Sequence, residues 1–351
     1  MQIKNLILKF HSMFLVRMLV FGVLLAAVLG CDSELTRKQR FLLKGNEALV
    51  KQNFESAIKN LNAALAIDSC YADALNNLGT VQYRQKNYAE ALEYYNRALG
   101  CKPGFLNSLF NRANTYYELN LPDRALTDVN RLVELKPDTM PVYFLQGLIY
   151  TRLRDYNRAK ASFRRALTMD FRNTELWINL GTVYFYARQY DSAKIALEEA
   201  LIIKADESDA YNALALVYAA VSDLAEAEKY ITQALLLKPG DSYYLNNRGY
   251  IKLLKGELQE AADDINQSII NDPANAWAYR NKGIYYLKIK DAAAAIRLLK
   301  QAVDMDPFVE DVYAYLAEAY WIDLNEAEAC KAYRESVMRN ENKKLYLLQC
   351  K

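Results

Sequence analysis

The sequence predicts an all-α fold, an α-solenoid of nine tandem 34-residue helix-turn-helix units. Three observations carry that expectation. Alanine recurs at every thirty-fourth residue without insertion or deletion: Ala57, Ala91, Ala125, Ala159, Ala193, Ala227, Ala261, Ala295 and Ala329. Twelve positions earlier stands a second small residue: Gly45, Gly79, Ala113, Gly147, Gly181, Ala215, Gly249, Gly283 and Ala317. Seven positions later comes a third, from Ala64 to Ser336, small in all but Leu132. A fixed period of this length marks a stack of similar supersecondary units rather than one globular core. The length of 351 residues alone suggests two globular domains. The repeat overrides that prior, because each unit contacts only its neighbours.

In chain order, residues 1–17 carry Lys4, Lys9 and Arg17 and no acid, and Met18 to Gly30 is wholly apolar. A basic region, a short apolar run and a small residue before a cut describe a secretory signal over 1–30. The run is too short for a comfortable transmembrane helix. Val28-Leu29-Gly30-Cys31 resembles the end of a bacterial lipoprotein signal, although Leu29 is bulkier than the usual residue there. The resemblance implies cleavage before Cys31, a diacylglycerol on its sulfur and an acyl chain on its new amino group. It also implies membrane anchoring in a bacterial cell envelope, on the periplasmic or surface side. An ordinary signal peptide or an uncleaved anchor is the alternative. Residues 31–37 read as the lipidated cysteine and a short linker. The six residues from Asp32 to Arg37 reach at most about 20 Å. The first repeat is therefore expected near the bilayer, where Arg37, Lys38 and Arg40 either meet anionic headgroups or form a solvated turn.

Nine repeats follow over 38–343, from 38–71 to 310–343. Small residues at helical spacing let helix A approach helix B closely, and large ones fill the remaining space. Tyr116, Tyr150, Tyr184, Tyr218, Tyr286 and Tyr320 fall on the first segment, and Tyr95, Phe163 and Tyr333 on the second. Pro103, Pro137, Pro239, Pro273 and Pro307 end the second segment and start the next turn. One unit reads Trp177-x-x-Leu180-Gly181-x-x-Tyr184, then Ala193, Leu197 and Ala200. This pattern resembles the tetratricopeptide repeat (TPR) family. The resemblance implies a right-handed superhelix, with helix A lining its concave face and partners held there. Ser69, Phe171 and Ala205 depart from the terminal proline, and Lys252 from the helix A tyrosine. Residues 344–351, with Leu345-Tyr346-Leu347-Leu348, read as a cap over the end of the stack. A partner motif, or self-association through this tail, is the alternative.

Composition excludes several chemistries. The only histidine, His11, lies in the signal, so the mature chain has no histidine for a triad, a general base or a metal site. No glycine-rich phosphate loop appears, because the repeat accounts for most glycines. Paired carboxylates such as Glu198-Glu199 and Asp263-Asp264 read as solvated helix B faces. No cofactor, no metal and no enzymatic activity are expected. Removing the signal changes 44 bases and 42 acids to 41 and 42, a net charge of −1, which is no footprint for nucleic acid. Cys70, Cys101, Cys330 and Cys350 lack metal-type spacing. Buried free thiols are the expectation. A bridge between Cys70 and Cys101, near helix B ends of adjacent repeats, is the alternative open to an exported chain.

The resemblance places candidate partner-binding residues on helix A. Asn77, Tyr83, Arg84, Asn111 and Asn114 fall near the anchored end. Phe144, Arg152, Asn179, Phe185 and Tyr186 fall in the middle. Asn247, Tyr250, Trp277, Arg280, Asn281 and Trp321 fall toward the C-terminus. Asn77, Asn111, Asn179, Asn247 and Asn281 share one helix A position. An amide there either pairs with a peptide backbone or bonds within the repeats. Trp277 and Trp321 lie off the packing positions and read as binding anchors or as contacts with a neighbouring repeat. Trp177 occupies a packing position and reads as core. The lysines of a chaperone-type carboxylate clamp are missing, with Leu42 and Asn107 in their places. The expected function is a noncatalytic, lipid-anchored scaffold that holds a protein or peptide. Carbohydrate or peptidoglycan binding on aromatic platforms is the alternative.

Overall fold

The computed structural model describes residues 33–135, 138–341 and 350. They form eighteen α-helices and no strand. The chain divides into two compact units, 1–153 and 154–351. Unit 1 holds α1 (Glu34–Val50), α2 (Phe54–Ile67), α3 (Ala72–Arg84), α4 (Tyr88–Cys101), α5 (Leu106–Glu118), α6 (Pro122–Glu134) and α7 (Met140–Arg152). There α1 packs on α2, α3 on α4 and α5 on α6, and α7 continues the stack on α5 and α6. Unit 2 opens with α8 (Tyr156–Leu167), which packs on α9 (Thr174–Tyr186). Its further helices are α10 (Tyr190–Ile203), α11 (Ser208–Ala220), α12 (Leu224–Leu237), α13 (Ser242–Lys255), α14 (Leu258–Asn271), α15 (Ala276–Lys288), α16 (Ala292–Met305), α17 (Val312–Ile322) and α18 (Glu326–Met338). They pack as consecutive pairs from α9–α10 to α17–α18. Each unit is a segment of α-solenoid.

The alanine series fixes the spacing inside each pair. All nine alanines have no solvent-accessible surface. The glycine twelve residues earlier is the other half of the contact. A Cβ added at Gly181 would lie 2.6 Å from Leu197 Cγ, closer than two carbons can sit. Where helix A carries Ala113 instead, helix B supplies the smaller Val129, and both are fully buried.

The turn inside each repeat is as regular as the alanines. Gln52, Lys86, Asn120, Arg154, Arg188, Ser222, Lys290 and Leu324 adopt φ of 56–63°, and Gly256 takes 85°. This left-handed residue lets the next amide reach five residues back, as when Asn87 N–H donates to Gln82 O at 2.9 Å. The following residue then caps helix B. Asn53, Asp155, Asp223, Asp291 and Asn325 each accept from a backbone amide three residues on.

The turn before α17 breaks the pattern. Most repeats cross from helix B to helix A in four residues, such as 102–105 and 272–275, but here the crossing takes 306–311. Asp311 turns left-handed at φ 58°, and α17 is shortened to 11 residues. Glu341 caps that helix instead, accepting from Tyr313 N–H at 3.2 Å and Ala314 N–H at 2.8 Å.

Several expectations need correction. Helix α1 starts at Glu34 with Ser33 as its cap, so most of the expected 31–37 linker is helical. Lys38 is neither a free headgroup contact nor simply solvated, for it bonds Asp68 and lies over the Tyr71 ring. The cysteines are not buried free thiols. Cys70 bonds Cys101 across Cα atoms 5.4 Å apart, and Cys330 bonds Cys350 across 5.1 Å. Asp264 is not solvated, because Arg248 grips both its oxygens at 2.7 and 2.6 Å and Lys252 reaches it at 3.0 Å. Lys252 thus replaces the helix A tyrosine to serve a buried carboxylate. The expected signal over 1–30, Cys31, and residues 344–349 and 351 of the tail lie outside the described residues.

Candidate functional site

Unit 2 encloses a cavity of about 1290 Å3. The A helices α9, α11, α13 and α15 supply its wall, and the turn before α17 contributes Glu310 and Asp311. That turn is held against the α8 end of the unit. Arg154 Nη2 donates to Phe308 O at 2.9 Å, and its guanidinium lies 5.2 Å from the Phe308 ring. The enlarged turn therefore borders the groove opposite α9. Tyr186 shows what this enclosure does. It keeps 39 % of its surface accessible, yet burial by surrounding protein, with Glu310 nearby, pushes its hydroxyl up to about 12. It faces a space closed in by protein, and it stacks on Tyr156 at 6.1 Å.

Eight of the candidate residues named from sequence meet here, Asn179, Phe185, Tyr186, Asn247, Tyr250, Trp277, Arg280 and Asn281, beside Ile178, Leu216 and Tyr243. Their amides are committed largely to the protein itself. Asn247 Nδ2 donates to Asn212 Oδ1 at 2.8 Å, and Asn281 Nδ2 to Asn246 Oδ1 at 2.8 Å. Asn179 Nδ2 donates to Glu175 O within its own helix at 2.8 Å. Except at Asn179, these asparagines bond from one A helix to the previous one. Arg280 is 4 % exposed and lies over the rings of Tyr250, Trp277 and Tyr315 at 4.9, 5.4 and 5.7 Å. Burial opposes its charge, but Tyr250, Tyr315, Glu310 and Asp311 outweigh it and hold the guanidinium above its ordinary value. Through these side chains the cavity offers recognition by rings, amides and charge.

The tetratricopeptide repeat profile matches 42–104, 110–173, 212–276 and 280–342, and a second profile of the same description matches 151–217. The chain belongs to the tetratricopeptide repeat family. Its repeats make it a protein-interaction scaffold of a typically noncatalytic kind. Among curated proteins none matches the chain in sequence. Solved structures match by fold. The hetero-tetramer Cut9–Hcn1 of the APC/C is 18 % identical with a TM-score of 0.56 and covers 89 % of this chain. This chain spans 62 % of that one. A tetratricopeptide repeat protein from Parabacteroides merdae is 22 % identical with a TM-score of 0.48, covering 81 % of this chain and 99 % of its own. MamA is 23 % identical with a TM-score of 0.43, covering 46 % of this chain and 95 % of its own.

In unit 1 of this TPR protein the predicted residues hold adjacent repeats together. Asn77 donates to Asn46 at 2.5 Å, and Asn111 to Asn76 at 3.0 Å. Asn114 donates to Phe110 O in its own helix at 3.0 Å. Arg84 caps the previous A helix through Leu49 O at 3.1 Å, and Arg152 does the same through Tyr117 O at 2.8 Å while stacking on that ring. Tyr83 packs on Tyr88 with centroids 5.5 Å apart, and Phe144 is half-buried on α7. Trp321 is half-buried on α17 and does not line the cavity. Trp177 is half-buried rather than core. Phe171, standing where other repeats have proline, takes its ring edge-on at 5.4 Å and accepts its Nε1–H at 2.9 Å.

Sequence reasoning missed the acidic part of the cavity, namely Glu175, Glu207, Asp209, Asp241, Glu310 and Asp311. Asp209 and Asp241 open A helices and read as first-turn or capping acids, which they also are. Tyr244, a missed neighbour, donates to Asp209 and lies near Ser208 at 3.1 Å.

Proposed function

We propose that the chain is a noncatalytic, lipid-anchored TPR scaffold of a bacterial cell envelope, which holds an extended protein segment or peptide in the cavity of unit 2. The cavity carries this reading. At about 1290 Å3 it exceeds the roughly 300–1000 Å3 usual for a small-molecule site. Its wall runs along four successive A helices, so it suits a ligand with length. The exposed faces of Phe185, Tyr243 and Trp277 are anchors of the kind that dominate interface energy. The lipid anchor rests on Val28-Leu29-Gly30-Cys31.

A photo-crosslinking residue at Leu216, inside the cavity, should capture a partner polypeptide in cells, and one at Trp321 should not. Equal yields at both positions would overturn the cavity as the site. Mass spectrometry of the native N-terminal peptide should find Cys31 carrying a diacylglycerol and an N-acyl chain, and an unmodified Cys31 would remove the anchor. Carbohydrate is the second reading, favoured by the half-exposed ring of Tyr243 in the same wall as Trp277. Muropeptide titration followed by tryptophan fluorescence tests it.

A further inference from the structure

Helix α1 begins the stack, and the positions on its outer side are those that later repeats use to bond backwards. The equivalents of Leu43 are Asn77 and Asn111, which donate to Asn46 and Asn76 of the repeat before at 2.5 and 3.0 Å. The equivalent of Val50 is Arg84, which donates to Leu49 O at 3.1 Å. In α1 both positions are apolar and open, with Leu43 59 % exposed and Val50 77 %. Leu35, 57 % exposed, joins them because α1 has 17 residues where α3 has 13. At 3.6 residues per turn these three side chains share an arc of roughly 80°. A terminal repeat ordinarily turns a polar outer face to water. This one carries an apolar stripe with a basic flank. Among the exposed charges of the helix and its C-cap, Arg37, Arg40, Lys44 and Lys51 outnumber Glu34 and Glu47.

Chain length and charge point to one cover for this stripe. Cys31 stands three residues before Glu34, so its backbone lies within about 10 Å of the helix start. A helix of 17 residues is about 25 Å long. With its first turn held that close to a bilayer, it either stands up from the surface or lies along it. Standing up leaves Leu35, Leu43 and Val50 in water. Lying down buries them at the boundary of headgroups and acyl chains, while the basic side chains on the flank reach the phosphates. The excess of bases favours an anionic surface over a neutral one. Resting on the lipid-anchor reading above, we propose that the outer face of α1 lies on an anionic bilayer surface, which takes the place of a preceding repeat. The acyl chains on Cys31 supply one attachment and the helix a second. Two attachments fix how unit 1 is turned relative to the membrane, which a single flexible anchor does not.

The test uses the native lipoprotein in vesicles of phosphatidylethanolamine and phosphatidylglycerol. With Cys31 acylated and the other four cysteines bridged, a new cysteine is the single free thiol for a bimane label. Leu43→Cys and Val50→Cys probe the stripe, and Asn62→Cys on the exposed side of α2 is the control. Nitroxide-bearing acyl chains should quench the label at 43 and 50 roughly twofold more than at 62. Equal quenching at all three positions, in protein whose Cys31 carries its acyl chains, would overturn the docking of α1 and leave the anchor standing. Cys31 found without acyl chains by mass spectrometry would remove the anchor, and this surface assignment with it. A label at 43 shielded from aqueous iodide but untouched by the lipid nitroxide would give the face to protein, a second copy or a partner, and overturn the lipid assignment. Quenching as strong in phosphatidylcholine vesicles would overturn the preference for an anionic surface.

Discussion

At Gly181 the absence of a side chain is what brings two helices into contact, because the space of its Cβ belongs to Leu197. Gly181→Val forces that side chain and its neighbours off their rotamers. It should cost about 1–3 kcal/mol in chemical denaturation, the usual range for overpacking. An unchanged midpoint would mean that the α9–α10 pair is looser than the structure indicates. Single residues also explain what sequence could and could not show. The period revealed the alanine and glycine packing positions, because packing repeats with the helix, but it misplaced Trp177 in the core. It could not reveal that Lys252 and Asp264 belong together, since an acidic residue on helix B reads as solvated until its partners across the helix pair are seen. The asparagine series was visible as a series, but its bonding direction was not. A side-chain amide has the same composition whether it faces a ligand or the previous repeat.

At the scale of the element, the nine turns set up a natural comparison. Eight hold a side chain in the left-handed region, and one holds glycine. Gly256 has open space around its missing Cβ, so Gly256→Ala isolates the backbone term and should destabilise by about 1 kcal/mol. Leu324→Gly should stabilise by about 0.5 kcal/mol, less because glycine also loosens the unfolded chain. Helix α17 titrates through its cap. Burial pushes the Glu341 carboxyl from 4.5 up to about 7, against two backbone amides that favour its charge. Between those values the folded protein binds the proton more tightly than the unfolded chain. Its contribution to stability is therefore complete below pH 4.5 and is lost as pH rises toward about 7. Glu341→Gln should flatten that part of the melting-temperature profile, and an identical slope in the variant would refute the assignment. The late start of α17 was hidden in the sequence because the alanines on either side keep perfect phase.

At the scale of the molecule, the fold was legible almost entirely and the cavity only by half. Helix A positions were predictable from period. The acids of the wall and the turn 306–311 were not, because they come from helix starts and from one irregular crossing. Of the disulfides, Cys70–Cys101 was readable only as an alternative and Cys330–Cys350 not at all, since solenoid geometry rather than spacing brings the partners together. The Cys70–Cys101 bridge closes a loop across a sequence separation of 31, so reducing it should lower the stability of unit 1 by about 2–4 kcal/mol. Denaturation with and without a reductant measures it, and coincident curves would show that the bridge constrains nothing. The bond from Arg154 to Phe308 has a different consequence. A linear array melts from its ends, one neighbour at a time, since no repeat feels any other than the adjacent ones. A contact across 154 residues ties the turn that opens unit 2 to the turn before its last helix pair, so fraying at either end must first break that tie. Unit 2 should exchange its amide hydrogens as a single cooperative block, and a graded exchange along its repeats would refute the tie.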